Sequence, residues 1–385
     1  MTREEFDTLR SDAVRGAIAD NLDRDPLDVA LDRRIGHAAA VATQVKYLQR
    51  ARTKLPSYHA ARCILPPLAF EQASSELCAA RKRPEGGTVL DLTCGLGVDA
   101  VALSRRFRRV VALERDAVLA DITAYNLKLL GISNVEVIHA SAEEYLAGTD
   151  ERFDWVYADP DRRSAEGRKL VRLEECSPDI LRLRPLIQRC ARRLCVKVSP
   201  LFDADEALRL FPTAHIEAVS LHGECKELLI YDDGSGPLLT AAAIGAGSVT
   251  FPPAETAAAA QPVFEPDAYR YLFLPDVAVQ KMRLARRALA GKADVWSENG
   301  FAFARRPVDG VPGRTFAITA VERFEGKTLR RTLRGKGAEL FLRGFPLSAP
   351  EIYSRTGMHA GSELRLAFTR IGAKAWMIRL GEEVN

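Results

Sequence analysis

With 385 residues, of which 47% are hydrophobic and 28% charged, the chain is too long for one ordinary domain and too apolar to be mainly disordered. It holds no run of about 18 apolar residues, which excludes a helical membrane span. The charged opening MTREEFDTLRSD lacks the apolar core of a secretory signal, so a cytoplasmic location is expected. Seven cysteines without a CxxC pair and six scattered histidines point to buried free thiols, with neither a disulfide framework nor a metal site.

The net charge of +4 is unevenly spread: residues 281–385 carry 20 Lys and Arg against 10 Asp and Glu, so this segment is +10 and the rest of the chain −6. A basic module on an acidic body suits a polyanionic partner such as nucleic acid. A solvated surface on an arginine-rich protein gives the same numbers.

Residues 1–80 read as helical, with apolar residues at helical spacing in LDVALDRRIGHAAAVATQVKYL and FEQASSELCAARK, broken at Pro56 and at Pro66-Pro67. From Thr88 the pattern becomes strand-helix alternation: TVLDL, RRVVALE, NVEVIHA, FDWVYAD, RLCVKVSP, HIEAVSLHG and KELLIYDDG are the strand-like runs. Seven strands are expected, in a parallel sheet wrapped by helices. The last two are too close for a crossover helix and must be antiparallel. This is an α/β, Rossmann-like arrangement. After Asp233 the Gly, Pro and Ala content of GSGPLLTAAAIGAGS and PPAETAAAAQP predicts an irregular linking region. Beyond it lie a helix in PDVAVQKMRLARRALA, a strand in RTFAITAVERF, the basic run KTLRRTLRGKG, and strands in LRLAFTRI and KAWMIRL, a small α+β module.

In VLDLTCGLGVDA the first strand delivers the chain into Thr93-Cys94-Gly95-Leu96-Gly97, with a helix beginning near Val98. Glycines there let the backbone approach a ligand closely. A GxG alone is weak evidence, but a second strand ends about seventeen residues later in Glu114, placed to accept both ribose hydroxyls of an adenosine. A nicotinamide enzyme would carry a third glycine at the helix start; Asp99-Ala100 offers none. Acid at a helix start disfavours a phosphate and suits the cationic sulfonium and amino group of S-adenosylmethionine, with Asp91 placed for the amino group. Past the third strand, Ser141-Ala142-Glu143 occupies the place of an adenine contact, with Ser141 where an acid is usual. Gln72 and Ser75 are candidates for closing the pocket, although an ordinary capped helix explains them equally.

The fourth strand runs into Asp159-Pro160-Asp161-Arg162-Arg163, at the carboxyl edge where α/β sheets bind ligands. An Asp-Pro step there resembles the catalytic loop of enzymes that methylate amines of adenine and guanine. Those loops continue with proline and an aromatic, whereas Asp161 and Arg162 follow here. A guanidinium can stack on a base or bind phosphate, and a structural ion pair between Asp161 and Arg163 is the plain alternative. Lys197, Glu224 and Lys226 lie at loop positions able to reach the same cleft, each more readily structural.

The ordered set KLP (54–56), EQASSE (71–76), DLTCGLGVD (91–99), DPDRR (159–163), GRK (167–169), VKVSPL (196–201), GECKELL (223–229), FLPDVAVQK (273–281), PGRTF (312–316) and LRGFP (342–346) resembles the uncharacterised bacterial class I methyltransferases with a C-terminal THUMP-like domain. The resemblance covers nearly the whole chain, with Cys94 and Leu96 standing where glycine and phenylalanine are expected. It implies a helical region over 1–80, a class I methyltransferase domain over 81–235, a linker and ferredoxin-like domain over 236–305 and a THUMP-like domain over 306–385. It also implies S-adenosylmethionine as cofactor and, by analogy with THUMP domains that present tRNA, an RNA partner for the basic tail. Base-amine methylation in tRNA or rRNA is the leading expectation. A small-molecule or protein methyltransferase and a non-catalytic S-adenosylmethionine-binding protein are the alternatives.

Overall fold

The computed structural model describes residues 1–161, 172–253 and 263–384. The chain divides into two compact units, residues 1–214 with 228–236, and residues 215–227 with 237–385.

The first unit opens with helices whose starts are written in the sequence. Thr2 and Glu5 form a capping box on Arg3–Arg10, Asp25 caps Pro26–Leu31, and Ser75 caps Glu76–Arg81. The long helix Ala38–Lys54 buries Val41, Val45 and Leu48 at helical spacing. These side chains share one core with Phe6, Tyr58 and Phe70, and with Leu96, Val98, Val101, Ile122 and Leu127 from the helices that follow the first two strands. Burial of each such aliphatic chain stabilises the fold by roughly 1.5–3 kcal/mol.

The strands of this unit are β1 (Gly86–Asp91), β2 (Phe107–Glu114), β3 (Val135–His139), β4 (Phe153–Ala158) and β5 (Ala191–Val198). β1 pairs in parallel with β2 on one side and with β4 on the other; β3 continues beyond β2, and β5 beyond β4. The chain therefore reverses its direction of winding between β1 and β4. The carboxyl ends of these strands form the crevice where such sheets bind ligands. Residues from Leu228 to Asp232 run antiparallel to β5.

The second unit begins with β6 (His215–Leu221), which turns through His222-Gly223 into β7 (Glu224–Asp232), a strand that returns to the first unit at Leu228. Both turn residues have positive φ, at 54° and 74°, the backbone of a two-residue hairpin. The expected irregular region then departs from the sequence reading. Leu238–Ala243 is β8, parallel to β6, and Gly247–Phe251 is β9, antiparallel to β8. The seven expected strands are all present up to Asp232, and among the described residues two more, β8 and β9, extend the sheet before Pro252. The run TAAA looks like linker because its side chains are small, but small side chains also suit a strand buried on both faces, and Ala241 is fully buried.

A separate eight-stranded sheet follows: β10 (Tyr271–Pro275), β11 (Asp294–Val295), β12 (Ala302–Ala304), β13 (Gly313–Arg323), β14 (Gly337–Arg343), β15 (His359–Ala360), β16 (Leu364–Ile371) and β17 (Lys374–Val384), in the order β11-β12-β10-β13-β17-β16-β14-β15. The helix expected in PDVAVQKMRLARRALA is two short ones, Val277–Lys281 and Ala285–Ala288, interrupted where Arg283 takes φ 53°. The basic run forms the helix Gly326–Leu333, which seats Leu329 and Leu333 against Ile352, Leu366 and Phe368. No helix among the described residues is long and apolar enough to cross a membrane.

Candidate functional site

Asp91 ends β1 with its side chain fully buried. Its Oδ1 accepts the Thr93 amide at 2.9 Å and the Thr93 hydroxyl at 3.3 Å, while Oδ2, also buried, has no hydrogen-bond partner. Burial pushes the Asp91 carboxyl up to about 8, and the negative charges of Asp99 and Asp159 add to that push.

The turn after β1 is shaped by its glycines. Gly95 has φ 54° with open space where a side chain would project, and Gly97 has φ 81°. A Cβ on Gly97 would meet the Thr123 methyl at 2.8 Å. The Thr123 hydroxyl donates to the Gly95 carbonyl at 2.7 Å, and Tyr58 donates to the Leu96 carbonyl at 3.1 Å, so the turn is fixed from two helices. Cys94, expected at the cofactor, is buried, and burial raises its thiol well above the ordinary range. At the end of β2, Glu114 accepts the Gly95 amide at 2.9 Å on one carboxylate oxygen and the Asp116 amide at 2.8 Å on the other. Each oxygen retains a lone pair for a further donor.

Asp99 stands elsewhere in the chemistry than its position at a helix start suggests. Its carboxylate accepts from Lys82 at 2.7 Å, from the Tyr157 hydroxyl at 2.8 Å and from Ser74 at 3.1 Å, and Lys197 lies 3.9 Å away. Burial opposes its ionisation, but the ammonium groups of Lys82 and Lys197 prevail and bring it down to about 2. Asp99 is therefore a neutralised anchor.

Lys197, near the end of β5, also donates to Ser74 at 3.1 Å and to the Asp159 carboxylate. The backbone amide of Asp159 donates to the Thr93 hydroxyl at 2.6 Å. The carboxyl ends of β1, β4 and β5 are thus joined by Asp91–Thr93–Asp159–Lys197–Asp99, with Ser74 bridging from the loop before Glu76–Arg81. Pro160 is buried. Asp161 exchanges backbone hydrogen bonds with Ser177, and its carboxylate lies 4.0 Å from Arg115. Arg162, Arg163 and the run at 167–169 fall outside the described residues.

Sequence reasoning named Asp91, Thr93, Gly95, Gly97, Asp99, Glu114 and Asp159, and the structure brings these together. It missed Ser74, Lys82 and Tyr157, since a lone serine, a lysine between helix and strand, and a strand tyrosine carry no signal before the sheet places them. Ser75, its neighbour's stand-in, caps a helix by accepting the Cys78 amide. Gln72 is exposed at the end of its helix. Ser141 forms a capping box with Glu144, Ala142 is buried in the same helix, and Glu143 lies in its first turn. Glu224 and Lys226 pair with each other at 2.6 Å.

The residues at the turn fit S-adenosylmethionine. The buried, unpartnered Asp91 Oδ2 is a place for an ammonium, Gly95 leaves the backbone open, and Glu114 has lone pairs for ribose hydroxyls.

Comparison with known proteins agrees with this geometry. Residues 313–382 match the model of the THUMP domain-like family, and residues 73–174 that of conserved hypothetical protein 95. An uncharacterised S-adenosylmethionine-dependent methyltransferase of Mycobacterium tuberculosis is 26% identical over 360 residues, which is 88% of this chain and 95% of the relative. The 23S rRNA (uracil(1939)-C(5))-methyltransferase of Pseudomonas putida is 35% identical over 149 residues, covering 34% of this chain and 31% of that protein. The crystal structure of a protein from Porphyromonas gingivalis W83, assigned as a methyltransferase, superposes with a TM-score of 0.80 at 25% identity, over 96% of this chain and 97% of the other. Taken together, these similarities make the chain an S-adenosylmethionine-dependent methyltransferase with a THUMP-like segment over residues 313–382.

Proposed function

We propose that this methyltransferase modifies a base amine in RNA, tRNA or rRNA, with Asp91 and Glu114 holding the donor and the Asp159-Pro160 loop receiving the acceptor. The observation that carries this reading is the shared hydrogen bonding of donor turn and acceptor loop through Thr93. When bound, S-adenosylmethionine supplies an electrophilic methyl group on a sulfonium. The chain's own contribution is orientation, because a direct displacement needs the nucleophile aligned more than it needs acid or base. Lys197 occupies Asp159 Oδ2, and Oδ1 makes no hydrogen bond among the described residues. Oδ1 is then the acceptor for an amine N–H, turning the nitrogen lone pair toward the methyl group, and the amine's surplus proton leaves by the same oxygen.

The rRNA relative methylates a uracil carbon, which supports RNA as the acceptor class and raises a second reading. A pyrimidine C5 becomes nucleophilic when a thiolate adds at C6. Cys94 and Cys195 are buried. Cys176 and Cys225 are part-exposed, and Cys176 precedes Ser177, the backbone partner of Asp161, so it is the thiol that a carbon-methylating reading would use. Its Sγ donates to the Arg172 carbonyl at 3.3 Å.

Mass spectrometry of nucleosides from a strain lacking the gene tests the proposal. One N-methylated nucleoside should disappear from tRNA or rRNA and return on complementation. An unchanged RNA profile would contradict it, and loss of 5-methyluridine would favour the thiol reading.

A further inference from the structure

The helix Gly326–Leu333 carries Leu329 and Leu333 on its buried face. Lys327, Arg330, Arg331 and Arg334 are all exposed. These four positions are i, i+3, i+4 and i+7, so the last helical side chains and the first residue beyond them make one stripe along the solvent face. By the helical rise, the stripe is about 10 Å long.

Its charge has no counterpart nearby. The helix contains no acidic residue, and none of the four cations forms an ion pair among the described residues. The preceding acid, Glu325, accepts the Thr328 hydroxyl at 3.2 Å. Like charges at i,i+4 destabilise a helix by roughly 0.2–0.5 kcal/mol per pair, and the stripe contains two such pairs, Lys327 with Arg331 and Arg330 with Arg334. The helix dipole accounts for cations in the last turn, but it disfavours Lys327 in the first. Some arginines of this unit are matched: Arg314 pairs with Glu383 at 2.7 Å, Arg379 with Glu322 at 2.9 Å and Arg365 with Glu339 at 3.3 Å. What sets the stripe apart is its alignment: four cations stand in one row on a helix whose opposite face is seated by two buried leucines.

We propose that Lys327, Arg330, Arg331 and Arg334 form a docking rail for the sugar-phosphate backbone of RNA. This rests on the RNA reading above and names the surface that reading requires. Three guanidiniums can each take two phosphate oxygens, a geometry that lysine alone does not offer. Because the rail contacts phosphate, it confers affinity and register without base specificity.

Filter binding of labelled total bacterial RNA to the full-length protein over a salt series tests it. The quadruple variant K327Q/R330Q/R331Q/R334Q is compared with a charge-matched control on the first unit, R33Q/R105Q/R108Q/R192Q, all exposed positions. Circular dichroism and thermal unfolding confirm that each variant is folded. The slope of log K against log salt should fall by about 3 in the rail variant, from about 0.7–0.9 per phosphate contact, and by less than 1 in the control. Affinity at 0.1 M salt should drop at least tenfold in the rail variant alone. Should the helix not tolerate four substitutions, the pairs K327Q/R331Q and R330Q/R334Q should each remove about half of the slope. If the wild-type protein binds RNA and the rail variant keeps its slope, the rail is wrong while the RNA reading stands. If the wild-type protein binds no RNA, both fall. Binding to phosphatidylglycerol vesicles that depends on the rail, with RNA binding unaffected by it, would overturn the assignment of the partner.

Discussion

The Thr93 hydroxyl accepts the backbone amide of Asp159 at 2.6 Å while lying 3.3 Å from Asp91 Oδ1, to which it donates. One side chain therefore ties the turn proposed to hold the donor to the loop proposed to receive the acceptor. Thr93→Ala should leave the turn glycines intact but strand the Asp159 amide, at a cost of about 1–3 kcal/mol. Turnover should fall roughly 5- to 100-fold while donor affinity, measured by calorimetry, changes little. Thr93→Ser should restore most of the activity. Equal losses in donor affinity and turnover would mean that Thr93 serves the turn alone.

With Asp91 holding the donor, as proposed, donor binding should depend on pH. Its carboxyl is pushed up to about 8 by burial, so the folded chain holds a proton that the unfolded chain releases near pH 4. The stability conferred by that proton is complete below about pH 4 and is lost as the pH rises through about 8, by at most about 1.4 kcal/mol per pH unit. Asp91→Asn should flatten this dependence. Donor affinity should behave oppositely in the wild-type protein, rising up to about tenfold per unit toward pH 8 as the carboxylate becomes available to the cation. A pH-independent affinity would show that Asp91 does not face the donor.

Lys197 touches Asp159 and Ser74 and lies 3.9 Å from Asp99, with its side chain 13% exposed. Lys197→Met removes one of two cations from this cluster and should destabilise the first unit by about 3 kcal/mol, the usual consequence of leaving a buried charge unpaired. Lys197→Arg should recover stability better than turnover, since a planar fork cannot reproduce the three-way contact of an ammonium. Thermal unfolding and single-turnover rates separate the two.

Cys176→Ser should retain methyl transfer, because an amine acceptor needs no thiol. Loss of transfer together with loss of a protein–RNA adduct on denaturing gels would favour carbon methylation.

Much of the site was legible before the fold was known, for a physical reason. Asp91, Gly95, Gly97 and Glu114 lie on one strand-turn-helix-strand segment, so spacing along the chain implies spacing in space. Ser74, Lys82 and Tyr157 meet Asp99 only after β1 and β4 pair and the preceding helices pack, and no local pattern encodes such a meeting. Asp99 shows the converse. Its place at a helix start suggested an acid offered to a cation of the ligand, yet two lysines distant in sequence had already claimed it. In the second unit, β8 was hidden because an alanine-rich strand lacks the branched side chains by which strands are usually recognised, and β9 because its Val249 and Thr250 stand between a glycine-rich turn and Pro252-Pro253.

Methyl transfer to an RNA amine is tested by incubating the purified protein with methyl-labelled S-adenosylmethionine and RNA from a strain lacking the gene, then digesting the RNA to nucleosides. Label should appear in a single N-methylated nucleoside, reduced at least tenfold by Asp159→Asn in a variant that still binds the donor. Label absent from RNA, or unchanged in Asp159→Asn, would contradict it.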